Sequence, residues 1–193
     1  MHRRGFFGGI CGCLVAHAHP ASARNFFDTL VYRPEDLLPP INTEERKAVC
    51  STVVGPLLDV VLHQSRDSVR NGASAVPHDI YQTMLDFGVS PNTLSSARFL
   101  VGAVGGINVA HVTFQCSAAN AITLIDSIVF RNDDAARRLD IWAHELHHVR
   151  QFAEWGSDSF AVQYCNSAKH VEDEAYAVQA RFNSWYQAQQ KPG

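Results

Sequence analysis

Eleven consecutive residues, Ile141–Gln151, constrain this chain more than any others; they read I-W-A-H-E-L-H-H-V-R-Q. In a helix, His144 and His148 stand one turn apart on the same face, about 6 Å along the axis. Two imidazoles so placed can hold one metal ion. Glu145, beside the first of them, can then take a proton from a water on that ion. This H-E-x-x-H spacing is the zinc-hydrolase signature when it lies on a helix, and the flanking residues predict one. Ala135, Leu139, Trp142, Leu146, Val149 and Ala153 recur at steps of three and four, which makes one apolar stripe. Ile141, His144, Glu145, His148 and Phe152 share a second side. Asp140, His147, Arg150, Gln151 and Glu154 gather on a third, which predicts that His147 is a surface histidine. Asn132-Asp133-Asp134 offers capping groups and Gly156 a stop.

The chain opens on Met1-His2-Arg3-Arg4, continues through small and apolar residues from Gly5 to Val15, and reaches A-x-A sites at Ala16–Ala18 and Ala21–Ala23. Residues 1–23 therefore read as a secretory signal peptide, with an apolar run too short to cross a bilayer. Arg3-Arg4-Gly5-Phe6-Phe7 resembles the bacterial twin-arginine export signal, and ordinary Sec export stays open. The expected location is secreted or periplasmic. Cleavage would remove Arg3 and Arg4 and no acid, leaving 14 basic residues against 19 acidic ones. No basic stripe remains to hold nucleic acid, and no later apolar span is expected to cross a membrane. Nothing in the sequence sets the oligomeric state. Cys50, Cys116 and Cys165 form an odd set, either one disulfide and a thiol or three thiols, and the sequence does not choose the pair.

Residues 24–42, broken by Pro34, Pro39 and Pro40, read as an extended lead-in, and residues 43–193 as a single domain. Helices are expected over Glu44–Val54, capped by Thr43, and over Leu57–Arg70, with Gly55-Pro56 breaking between them. His63 is expected on the outer face, and His78 at the start of a short helix that runs to Phe87. Phe99–Val101, Val109–Cys116 and Ala121–Phe130 are rich in β-branched residues and predict three or four strands, the last feeding the H-E-x-x-H helix. His111 on such a strand reads as structural. Ser157–Cys165 and Lys169–Gln190 read as helices. The fold class is α+β: mostly helical, with a small sheet ahead of the H-E-x-x-H helix.

A catalytic zinc site takes three protein ligands and a water, so two histidines need a partner. Gln151 and Glu154 exclude the metzincin pattern, and Asp158 is out of step for an aspartate ligand. Glu172-Asp173-Glu174-Ala175 fits the E-x-x-A setting of glutamate-ligand zincins, with Glu172 favoured and Glu174 as the alternative ligand or a supporting carboxylate.

Ala121–Ile125, Ile128–Arg131, the segment W-A-H-E-L-x-H-V-x-Q from Trp142 to Gln151, Trp155-Gly156, Phe160-Ala161, Tyr164 and Glu172-x-Glu174-Ala175-Tyr176 together resemble the eCIS-core family. These are zincin-type metallopeptidase domains of bacteria, some linked to contractile injection systems. The likeness spans about Ala75 to Trp185. It implies a zincin-like fold, a Zn²⁺ cofactor and hydrolysis of a peptide or protein substrate. In the residues' own chemistry, His144, His148 and Glu172 are the metal ligands and Glu145 the general base. Tyr164, Tyr176 and Arg150 are candidate oxyanion donors, and the strand near Ile128–Phe130 is the candidate edge for an extended peptide. The competing reading is a zinc-stabilised secreted binding domain or effector that cleaves nothing.

Overall fold

The computed structural model describes residues 41–190 except 103 and 105–107, and the side chains of Val112 and Cys116 are also left aside. The expected signal peptide, most of the lead-in and the Cys116 thiol therefore lie outside the described residues.

The described chain opens with a long helical rod. Its first segment, α1 (Thr43–Val49), is capped by Asn42 rather than Thr43. Asn42 Oδ1 accepts from the Glu44 and Glu45 amides, and Glu45 returns a carboxylate to the Asn42 amide, a reciprocal capping box. The expected break at Gly55-Pro56 does not occur. A π-helical stretch over Cys50–Val54 carries the chain straight into α2 (Gly55–Arg70). The Gly55 amide reaches back to the Cys50 carbonyl, and this wider turn accommodates the ring of Pro56 without a kink. Gly55 serves a second purpose. A Cβ there would lie 2.6 Å from Val162 Cγ2, so only glycine lets the rod press this closely on the last helix. A disulfide between Cys50 and Cys165 fastens the two at the same level. The Thr43–Arg70 rod is long and apolar enough to cross a membrane by length and composition, contrary to expectation. It also bears Asp59 and His63 as an ion pair and packs its inner side on the domain.

Strand β1 (Ser74–Ala75), helices α3 (His78–Phe87) and α4 (Pro91–Ser96), and strand β2 (Arg98–Val101) follow. Val109–Cys116 is not a strand but helix α5. Asn108 is the reason: its Oδ1 caps the Ala110 amide, while its Nδ2 donates to the Ser65 carbonyl and to Ser68 Oγ on α2. Ala121–Phe130 folds as a hairpin, β3 (Ala121–Leu124) and β4 (Ser127–Phe130), rather than one strand. The turn puts Ile125 at φ 60°. Helix α6 (Asp133–Ala136) leads to α7 (Leu139–Trp155), and Gly156, at φ +80°, turns the chain into α8 (Ser157–Gln189). As expected, two C-terminal helices make up α8; they meet at Ser167, whose non-helical φ −160° and ψ 74° kink the chain between them.

The sheet order is β1-β2-β4-β3, with β2 and β4 parallel and the other pairs antiparallel. Ile128 and Phe130 point into one apolar cluster with Trp142, Leu146 and Phe182. Val129 points into the other with Leu62, Phe152 and Phe160. The fold is α+β, mostly helical, with a small mixed sheet. Helix α7 lies within it, buried over nearly its whole length from Ile141 to Phe152.

Candidate metal centre

His144 and His148, one turn apart on α7, direct their Nε2 atoms at the same point, 3.2 Å from each other. Beyond the Ser167 kink, α8 runs back along α7 and brings Glu172 Oε2 to 3.3 Å from His144 Nε2 and 3.6 Å from His148 Nε2. These three ligand atoms form the one group of its kind among the described residues. Ligands about 2.0–2.1 Å from a tetrahedral ion are about 3.3 Å apart, the spacing seen here, so the set fits zinc without rearrangement. Its electrostatics also call for a cation. Burial would lower the pKa of His148, but the hydrogen bond and charge of Glu172, with Glu145 and Gln151, raise it to about 9. Burial would raise Glu172, but His144 and His148 hold its carboxyl far below the usual carboxylate range. Both shifts favour the charged forms of His148 and Glu172 in the metal-free protein.

Supporting hydrogen bonds orient His148 and Glu172. His148 Nδ1 donates to Gln151 Oε1 at 2.8 Å, which turns the Nε2 lone pair toward the centre. Gln151 Nε2 donates in turn to Glu174 Oε2 at 2.8 Å. Glu172 and Glu174 are two positions apart, about 200° of helix. One therefore meets the imidazoles, and the other reaches round to the amide that orients one of them. Tyr164 donates its hydroxyl to Glu172 Oε1 at 3.0 Å. His144 packs edge-on against the Tyr176 ring, and its own Nδ1 is buried without a hydrogen-bond partner among the described residues.

Glu145 is buried next to this group and is not part of it. Thr123 on β3 donates its hydroxyl to Glu145 Oε2 at 2.7 Å, which holds the carboxylate in place. The residues that could hold a metal and the candidate base thus face one chamber, together with Tyr176. Burial pushes the Tyr176 hydroxyl's pKa up, and the charges of Glu172 and Glu145 add to the shift.

Several placements differ from the sequence reading. His147 is buried, not on the surface. Its Nε2 lies 3.7 Å from Glu174 Oε2. Burial, then Arg150 and His148, push its pKa down to about 4 against the pull of Glu174. The helix is enclosed by α8 on the side that its polar residues had marked as wet. Arg150 is exposed, ion-paired with Glu154, and faces away from the centre. His111 lies on a helix and not a strand, and His63 is half-buried with Ser157 as its partner. The strand at Ile128–Phe130 is paired on both sides; the edge strands are β1 and β3, and of these β3 lines the chamber. Gln151 and Thr123 went unrecognised. Gln151 carried a signal, since it sits three residues after His148 and on a helix such pairs are neighbours. Thr123 carried none, because its contact with Glu145 spans 22 residues and depends on the hairpin.

The model of the eCIS core domain family matches residues 91–156, about a third of the chain. The match covers β2, β3, β4 and the H-E-x-x-H helix and falls within the region that carried the resemblance. It stops short of Glu172. No curated protein and no solved structure matches the chain.

Proposed function

We propose that this protein is a zinc-dependent peptidase whose metal is held by His144, His148 and Glu172 and whose general base is Glu145. The observation that carries the reading is the tetrahedral spacing of three ligand atoms beside a carboxylate that ligates nothing. A site that served only to stabilise the fold would have no need of that carboxylate. Bound zinc would supply a Lewis acid that brings the pKa of water toward neutrality. Glu145, steadied by Thr123, takes the proton and passes it to the leaving amine. Tyr164 is committed to Glu172 and Arg150 faces away, which leaves Tyr176 to steady the oxyanion from the chamber wall. The edge of β3, with no partner strand among the described residues, offers backbone groups to an extended peptide. Arg3-Arg4, the apolar run after them and the A-x-A sites support placing this activity outside the cytoplasm.

Glu145→Gln tests the reading. Zinc content and melting temperature should stay at wild-type values, while cleavage of an unbiased peptide library falls at least ~100-fold, the usual worth of general acid–base catalysis. Wild-type protein that binds zinc and cleaves nothing would favour the docking or effector reading.

A further inference from the structure

The centre opens on a chamber of about 720 Å³ whose far walls are apolar. Leu57, Leu58 and Val61 on α2, Val109 on α5, Ile122 on β3 and Phe160 on α8 line it. A dry apolar cavity of about 150 Å³ holds a benzene ring, so this volume admits more than one large side chain. Its charges are already used. Arg138, the one arginine or lysine among the lining residues, is ion-paired with Asp140, and Glu145 and Glu172 belong to the centre. Away from the metal position, an acidic side chain entering the chamber would find no free cation among the described residues, and burying it unpaired is costly. Leu57 opens into this space with 63% of its surface exposed, a large apolar group left for something to cover.

The walls are fixed in advance. The disulfide fastens the rod to α8, Asn108 ties α5 to α2, and Asp126 pairs with Arg70 to hold the hairpin against the rod. Arg131 clamps the rim loop by donating to the carbonyls of Phe114, Ser117 and Ala119. A preformed apolar chamber loses little ordering entropy on binding.

Given the zinc-peptidase reading, on which this rests, we infer that the chamber receives two or more bulky apolar side chains of an extended peptide. The centre then acts on apolar stretches and rejects acidic ones. The β3 edge beside the chamber favours a peptide over a free aliphatic chain, because only a peptide can use its backbone groups.

The test measures binding to the zinc-loaded full chain by calorimetry, with hydroxamates as probes. Acetohydroxamate reports the metal alone, N-acetyl-Leu-Phe hydroxamate the metal and chamber, and N-acetyl-Asp-Asp hydroxamate the charge discrimination. The Leu-Phe probe should bind at least ~10-fold more tightly than acetohydroxamate, since each buried methylene contributes appreciably, and the Asp-Asp probe no more tightly than acetohydroxamate. Ala118→Trp, at an exposed rim position, should intrude into the chamber and erase the Leu-Phe advantage, with melting temperature and acetohydroxamate affinity unchanged. Leu57→Asp should also erase the Leu-Phe advantage, by setting a carboxylate in the apolar wall. Equal binding of the Leu-Phe and Asp-Asp probes, or an advantage that survives both substitutions, would overturn the inference. Tighter binding of decanohydroxamate than of the Leu-Phe probe would overturn the peptide assignment. No binding of acetohydroxamate would overturn the zinc reading itself and the inference with it.

Discussion

Gln151 connects a carboxylate to an imidazole: it accepts from His148 Nδ1 and donates to Glu174. The arrangement separates the roles of the two glutamates in a way that can be measured. Glu172→Gln removes the proposed anionic ligand, whereas Glu174→Gln and Gln151→Ala only loosen the orientation of His148. Supporting groups of this kind are worth about 10–100-fold in metal affinity. Zinc titration should therefore show a larger loss for Glu172→Gln than for either of the others, and the reverse order would transfer the ligand role to Glu174. Histidine charge makes a second prediction, for the metal-free protein. His148 has a folded pKa of about 9, above its unfolded value of about 6.5. The stability it contributes is complete below pH ~6.5 and is lost as pH rises through about 9. His147, lowered to about 4, acts in the other direction and costs stability as pH falls from ~6.5 toward 4. Melting curves in the presence of a chelator should peak near pH 6.5 and decline toward pH 9.5. A flat profile over that alkaline range would contradict the raised pKa of His148.

At the scale of elements, the disulfide carries the clearest prediction. Cys50 and Cys165 are 115 residues apart, so their bond restricts a long loop in the unfolded chain. Cys50→Ser with Cys165→Ser should lower stability by about 2–5 kcal/mol, read as a lower melting temperature, and an unchanged melting temperature would show that the rod is held by packing alone. The elements also show what the sequence made legible. The H-E-x-x-H helix, its Gly156 stop and the stripe of Val171, Ala175 and Phe182 on α8 were readable because local periodicity determines them. Val109–Cys116 misled because Val109, Val112 and Thr113 favour strands, and the buried Asn108 cap that overrides them takes its other partners from Ser65 and Ser68. Gly55-Pro56 misled because the π turn absorbs a proline that would otherwise break a helix. His147 looked exposed because a helical wheel shows polarity, not which face another helix covers. Tertiary neighbours, among them Glu174 on α8, enclose it.

The molecule as a whole is a central helix bearing the centre, a small sheet on which Thr123 steadies the base, and a rod pinned across an apolar chamber. Each part converges on one claim: that His144, His148 and Glu172 present an open, three-ligand site to zinc. Zinc K-edge X-ray absorption on the purified protein addresses it directly, since it reads the identity and number of the atoms bound to the metal. The account predicts one zinc per chain, with two imidazole nitrogens, one carboxylate oxygen and one water at about 2.0–2.2 Å. A protein that retains no zinc, or a shell containing sulfur at about 2.3 Å, would contradict it.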